Sequence, residues 1–162
     1  MIYPFNAAEA FKIAIALEEN GLRFYRRAAE KFAPGPIADL FTSLAQEEAI
    51  HKASFSKFLT DVSTGEPTVY DPDNELDDYL KMMAGLNVFK DGAAEVDRLL
   101  SEVDSVQGAL KLAMSFEKDS IVFFVQLKSS SEAAADKMSV DKLILEEAKH
   151  LRKLARIYNA LV

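Results

Sequence analysis

Glu18, Glu48 and His51 recur as Glu117, Glu147 and His150, each displaced by 99 positions. In both halves a lone glutamate precedes a Glu-x-x-His by 30 residues, and the two histidines of the chain are both used. Carboxylates and imidazoles in such sets hold divalent cations through oxygen and nitrogen. A single Glu-x-x-His is ordinarily a surface pair, and a single glutamate on an apolar stripe ordinarily reaches water. Packing gives no reason for a second histidine at the same offset from the same carboxylates. Two metal ions held between two copies of one helical hairpin do give one, so the pattern predicts a dinuclear site of these six residues.

Helical geometry supplies the means. Residues three apart lie on one helix face, so Glu48 and His51 can address one point, as can Glu147 and His150. Glu18 and Glu117 fall on apolar stripes, beside Ala14 and Leu17 in one half and Ala113 and Phe116 in the other. Burying an unpaired carboxylate costs several kcal/mol or forces protonation. Four in one core would offset most of a typical ~5–15 kcal/mol stability. Two divalent cations remove the conflict. The adjacent Glu19, Glu47 and Glu146 rotate about 100° away, to the outer face or to a supporting layer around the ligands.

The elements that must position these residues are four long amphipathic helices. The first runs from about Asn6 to Phe32, with Ala10, Ile13, Ala14, Leu17, Gly21, Phe24 and Ala28 at helical spacing. Asn6 is a plausible N-cap, and Pro34-Gly35 ends the run. The second starts after Pro36, carries Leu40, Leu44, Glu48, His51, Phe55 and Leu59 on one face, and stops near Ser63. The short turn makes the two antiparallel neighbours. The third, about Ser105 to Ser131, repeats the first. The fourth, about Ser139 to Leu161, repeats the second, with Ser139 or Asp136 as its cap. Hairpin 1 (about 6–64) and hairpin 2 (about 105–162) are joined by a crossover over about 65–104. The crossover opens as a loop and is expected to hold short helices near Glu75–Ala84 and Gly92–Glu102. The expected fold is an all-α antiparallel four-helix bundle of two repeated hairpins, one domain over 1–162.

Composition narrows the functions. The chain has 162 residues, 49% of them apolar, and a net charge of −7. Such acidity argues against nucleic acid or an anionic membrane as the main partner. There is no cysteine, which excludes disulfides, thiolate metal sites and thiol catalysis. No apolar run approaches the ~20 residues of a membrane span, and Met1–Asn6 does not read as a secretory signal. The expected location is a reducing cytoplasm. Phe55, Phe58, Tyr70, Tyr79 and Phe89 exceed what a small core obviously needs. They are expected to pack the crossover onto the bundle, with a homodimer as the other outlet.

Taken together, Glu18, Tyr25, Glu48-x-x-His51, Glu117 and Glu147-x-x-His150 resemble the rubrerythrin-type branch of the ferritin-like di-iron carboxylate proteins. The resemblance implies a ferritin-like bundle around an oxo- or hydroxo-bridged iron pair. It makes Glu18 and Glu117 terminal carboxylates, Glu48 and Glu147 bridges, and His51 and His150 terminal nitrogen ligands. It gives Tyr25 a hydrogen bond to a site carboxylate. Three departures stand out. Rubrerythrins commonly add a rubredoxin-like module with four cysteines, which this chain cannot build. Their additional glutamate three residues after the third-helix ligand is Ser120 here, with Gly21 as its repeat mate. The repeat mate of Tyr25 is Phe124. Bacterioferritins share the six ligands, but their haem-ligating methionine falls at Ala49 and the long crossover does not suit a cage subunit.

The resemblance implies a non-haem di-iron oxidoreductase, peroxidase-like or ferroxidase-like, reducing hydrogen peroxide or O₂ with electrons from a separate donor protein. The donor set also tolerates manganese or zinc. Two other readings compete: an iron-handling protein without substrate turnover, and a metal-free helical interaction module.

Overall fold

A computed structural model describes residues 7–62, 73, 75, 78–79, 82, 92–130 and 134–162. Five helices are described: α1 (Ala7–Lys31), α2 (Pro36–Val62), α3 (Gly92–Ser101), α4 (Val106–Ser130) and α5 (Ala134–Leu161). The α1–α2 turn is set by local chemistry. The amide of Phe32 closes the last turn on the carbonyl of Ala28 at 3.0 Å. Gly35 takes φ 143°, a region that only glycine enters without a Cβ clash. Pro36 then opens α2 at the position where its missing N–H costs nothing. At the start of α4 the Ser105 hydroxyl accepts the amide of Gly108 at 3.0 Å, an N-cap of the ordinary kind.

The long helices lie where the periodicity predicts, with one correction. The fourth begins at Ala134, not near Ser139. Asp136 and Ser139 therefore lie within the helix and do not cap it, because Ala134 and Ala135 are strong helix formers that extend the run past both. Of the two expected crossover helices, the second is α3. The first falls mostly outside the described residues, though Glu75, Asp78, Tyr79 and Met82 are helical. Asn6, Tyr70 and Phe89 also lie outside them.

The core is split into two apolar plugs. One gathers Phe11 and Leu17 of α1, Phe55 of α2, Phe123 and Phe124 of α4 and Leu143 of α5. The other gathers Phe24 and Ala28 with Phe41 and Leu44, Leu110 and Ala113, and Leu154. Of the aromatic surplus, Phe55, Phe58 and Tyr79 all pack in the first plug. Phe55 is fully buried, with its ring 4.8 Å from Phe124 and 6.0 Å from Phe58. Tyr79, from the crossover, stacks on Phe123 at 6.4 Å. Between the plugs runs a layer in which six buried polar side chains replace hydrocarbon.

From the crossover, α3 lies along α1 and joins the second plug through buried Val96 and Leu100. Arg23 of α1 clasps Asp97 with two hydrogen bonds, Nε to Oδ1 at 3.1 Å and Nη2 to Oδ2. Lys31 donates to the carbonyls of Leu100 and Val103 at 2.9 and 2.6 Å. The Leu100 carbonyl, in the last turn of α3, also accepts the amide of Val103 at 3.2 Å, so Lys31 caps the end of α3 and the turn that follows it. Gly92 sits against buried Asn20 so closely that a Cβ would lie 2.4 Å from Oδ1. That contact ties the start of α3 to the turn of α1 after Glu18.

Candidate metal centre

The polar layer consists of Glu18 from α1, Glu48 and His51 from α2, Glu117 from α4, and Glu147 and His150 from α5, each at most 4% exposed. All six residues expected from spacing meet there. They form two quartets, Glu18–Glu48–His51–Glu147 and Glu48–Glu117–Glu147–His150, each with ligand atoms within 4.8 Å of one another. Glu48 and Glu147 belong to both quartets. His51 Nδ1 lies 2.6 Å from Glu147 and 3.5 Å from Glu18. His150 Nδ1 lies 3.1 Å from Glu147 and 3.5 Å from both Glu117 and Glu48. The imidazoles stack at 5.5 Å and 16°, one from each hairpin.

The outer ring nitrogens identify a second layer. His51 Nε2 lies 2.8 Å from Glu146 Oε2, and His150 Nε2 lies 2.8 Å from Glu47 Oε2. An ionised carboxylate only accepts, so each imidazole donates. The residue before each Glu-x-x-His thus orients the histidine of the opposite helix. Of the two roles left open for Glu47 and Glu146, the structure shows support of the buried imidazoles. The repeat at offset 99 carried the signal, but nothing in the sequence says that the pairing crosses from α2 to α5. Glu19 differs, since it is exposed and pairs with Lys52.

With Nε2 donating outward, Nδ1 turns into the ligand cluster. Glu18 Oε1 and Oε2, Glu147 Oε1, His51 Nδ1 and His150 Nδ1 are buried without a hydrogen-bond partner. The 2.6 Å approach of His51 to Glu147 is close without hydrogen-bond geometry. Lone pairs of a neutral imidazole and a carboxylate facing one another repel unless a proton or a cation lies between them. The donor set therefore fits divalent metal.

Protons fill that role when no cation does. Burial pushes Glu18 up to about 8, with the charges of Glu147 and Glu117 adding to the rise. Burial also drives Glu48 and Glu117 well above the ordinary carboxylate range. Glu147 moves the other way: burial would raise it, but His150 and His51 beside it hold it near about 2. Burial would lower His51, yet the surrounding carboxylates, Glu147 first, raise it to about 9, and His150 is raised as well.

Tyr25 donates its hydroxyl to Glu117 Oε1, as expected of a residue supporting a site carboxylate. It is fully buried, which with the charge of Glu117 keeps the phenol protonated well above its usual range. Phe124, its repeat mate, has no hydroxyl and packs instead on Phe55. Gly21 has a positional purpose, since a Cβ there would lie 3.3 Å from Glu48 Cδ and Oε2. Helix α1 thereby lets a shared carboxylate lie against its backbone. Beside Glu48 and Glu117 a cavity of about 10 Å³ is lined by Asn20, Gly21, Tyr25 and Ser120, room for about one water-sized molecule. Asn20, buried at the rim, was not foreseen from the sequence. A wider hollow of about 490 Å³, lined by Arg26, Thr42 and Ala49, lies away from these residues between α1 and α2.

Two helical hairpins enclosing paired carboxylate–imidazole quartets define the ferritin-like class of fold. The structure matches one from Thermotoga maritima, provisionally described as a ferritin-like diiron-carboxylate protein, with a TM-score of 0.68 and 27% identity over the full length of both chains. The sequence matches the Rubrerythrin family over residues 9–158, and the chain belongs to that family. No curated protein matches it in sequence.

Proposed function

We propose that this chain is a non-haem di-iron oxidoreductase that reduces hydrogen peroxide or O₂ with electrons from a separate donor. The observation that carries this reading is the overlap of the two quartets in Glu48 and Glu147. A pair of ions sharing two carboxylates suits two-electron chemistry, whereas two isolated sites would not. Glu18 and His51 would hold one ion and Glu117 and His150 the other, with Glu48 and Glu147 between them. When bound, the iron pair supplies two electrons to the oxidant, one from each ion.

The protein's own part is positional and electrostatic. Glu146 and Glu47 fix the imidazoles with Nδ1 inward, which also raises their basicity as ligands. Tyr25 holds Glu117 and keeps a proton at Oη beside it. The two apolar plugs exclude water above and below the layer. The small cavity beside Glu48 and Glu117 has room for about one water-sized molecule, which favours a small oxidant over a larger organic substrate.

The test is anaerobic reconstitution with ferrous iron followed by stopped-flow mixing with peroxide. About two irons per chain and oxidation far faster than that of free ferrous iron are expected. Oxidation no faster than the free ion would sink the peroxidase reading. Aerobic loading separates the iron-handling alternative, since tens of irons per chain would indicate storage and a plateau near two indicates a resident pair. Glu18→Ala tests the metal-free alternative. Loss of one iron is expected, whereas an unchanged metal content with raised stability would favour a helical module relieved of a buried charge.

A further inference from the structure

The outer side of α5 carries charge opposite in sign to that of the chain. Net charge is −7, yet Lys142, Lys149, Arg152, Lys153 and Arg156 are all exposed on this helix. At 100° per residue they fall within an arc of about 100°. Met138 and Leu145 lie within the same arc, 66% and 60% exposed. No acid of this stretch is left to neutralise it: Glu147 is buried among the ligands and Glu146 accepts from His51. Asp141, just before it, pairs with Lys128 at 2.6 Å. Lys153 is close enough to act electrostatically on Glu47 across the seam with α2. On the α2 side Ile50 is 64% exposed.

A basic stripe alone is ordinarily a solvated face. What distinguishes this one is the pair of Glu–His bridges at its edge. Glu146 and Glu47 have side chains 46% and 43% exposed, and each meets a buried imidazole at 2.8 Å. Each bridge connects the exterior to the ligand cluster through one hydrogen bond and one ring. We propose that the α5 stripe, with Ile50 of α2, docks an acidic one-electron carrier protein that delivers electrons to the metal pair through these bridges.

Charge complementarity selects the occupant. The stripe from Lys142 to Arg156 is roughly 20 Å long, matched to the ~800 Å² face of a small protein. A nucleic acid or a membrane extends beyond it and meets the acidic remainder of the chain. The inference rests on the di-iron reading for the electron acceptor. Each carrier loses one electron, and two such transfers reduce both ferric ions to ferrous. One hydrogen peroxide then takes those two electrons and two protons, its O–O bond breaks, and two waters form.

Two measurements test the proposal. In the first, carbodiimide cross-linking of the full chain to an acidic plant-type ferredoxin is followed by peptide mapping. It needs no iron, and cross-links on Lys142, Lys149 and Lys153 are expected. In the second, stopped-flow oxidation of the reduced ferredoxin by the iron-loaded, oxidised protein is compared with a Lys142→Glu/Lys149→Glu/Lys153→Glu variant. The variant is expected to be about 10–100-fold slower at low ionic strength, the difference shrinking with salt. Its reduction by photoreduced deazariboflavin, small and uncharged, is expected to be unchanged. Cross-links at Lys12, Lys57 or Lys118 instead, links chiefly between two copies of this chain, or an unchanged ferredoxin rate would each overturn the proposal. Failure of deazariboflavin to reduce the parent would count against the di-iron reading, and the cross-link map would still decide the docking face.

Discussion

Each histidine of the site is held by a glutamate from the facing helix, so the ligand geometry depends on residues that never touch the metal position. Removing such a partner typically lowers metal affinity 10–100-fold. Glu146→Ala is therefore expected to weaken one site by about that factor, read by competition with a chromophoric chelator. Glu146→Gln, which still accepts from Nε2, should recover much of the loss; equal losses for both would mean that the negative charge, not the orientation, matters. Tyr25→Phe leaves Glu117 without its donor while keeping the ring. A loss of about 1–2 kcal/mol in the metal-free protein is expected by chemical denaturation, in line with the removal of one buried hydrogen bond. Gly21→Ala is the sharper probe. Mid-helix Gly→Ala ordinarily stabilises by about 0.5–1 kcal/mol, but here the new Cβ presses on Glu48 at 3.3 Å. The metal-free variant, in which Glu48 can shift, should melt no lower than the parent, and metal affinity should fall by roughly tenfold or more.

Among the elements, α3 is expected from the sequence near Gly92–Glu102, but periodicity alone does not say that it packs along α1. Its visible ties to α1 are the Arg23–Asp97 pair and the Lys31 cap, but both ionic partners of the pair are more than a third exposed. Exposed pairs of this kind contribute little to stability because solvent screens them. Buried Leu100 should matter more, since truncation of a core leucine costs about 2–5 kcal/mol. Leu100→Ala is thus expected to lower the melting temperature clearly and Asp97→Ala to lower it little. The reverse order would show that the crossover is held by charge. Because Gly92 of α3 rests on Asn20, which lines the cavity beside the ligands, loosening α3 should also speed hydrogen exchange in the middle of α1.

At the scale of the molecule, the ligand layer links stability to pH and to metal. Glu18, raised to about 8, favours folding most below the unfolded glutamate range near 4.5, and that contribution is lost as pH rises through about 8. His51, raised to about 9, contributes fully below about 6.5 and loses its contribution through about 9. Glu147, held near 2, acts in the opposite sense, stabilising above about 4.5 and failing only in strong acid. Between pH 6 and 9 the first two dominate. The metal-free protein should lose stability across that window, each kcal/mol appearing as roughly 2–4 °C in melting temperature. Divalent metal takes the place of the protons, so loading should release them and flatten the dependence. Calorimetric scans at several pH values with and without metal check this, and parallel curves would refute it.

That these six residues meet was legible in the sequence because helical spacing is local. A step of three positions from Glu48 to His51 fixes their common face whatever the rest of the fold does, and duplication at offset 99 marks Glu18 and Glu117 as their partners. The long helices followed from the same periodicity. The start of α5 was misplaced because Ser139 and Asp136 are cap formers in isolation, while the propensity of the alanines before them prevails. Which residues support the ligands was decided only in three dimensions: Glu47 reaches His150 and Glu146 reaches His51 because α2 and α5 face each other across the bundle. Sequence periodicity cannot state which helices are opposed. The same holds for Gly21 and Asn20, whose purpose lies in the backbone of one helix meeting a side chain of another. Local spacing determined which groups can share a face, because it acts within one helix; the packing of the hairpins decided which groups meet and how they are held, because that depends on contacts between helices.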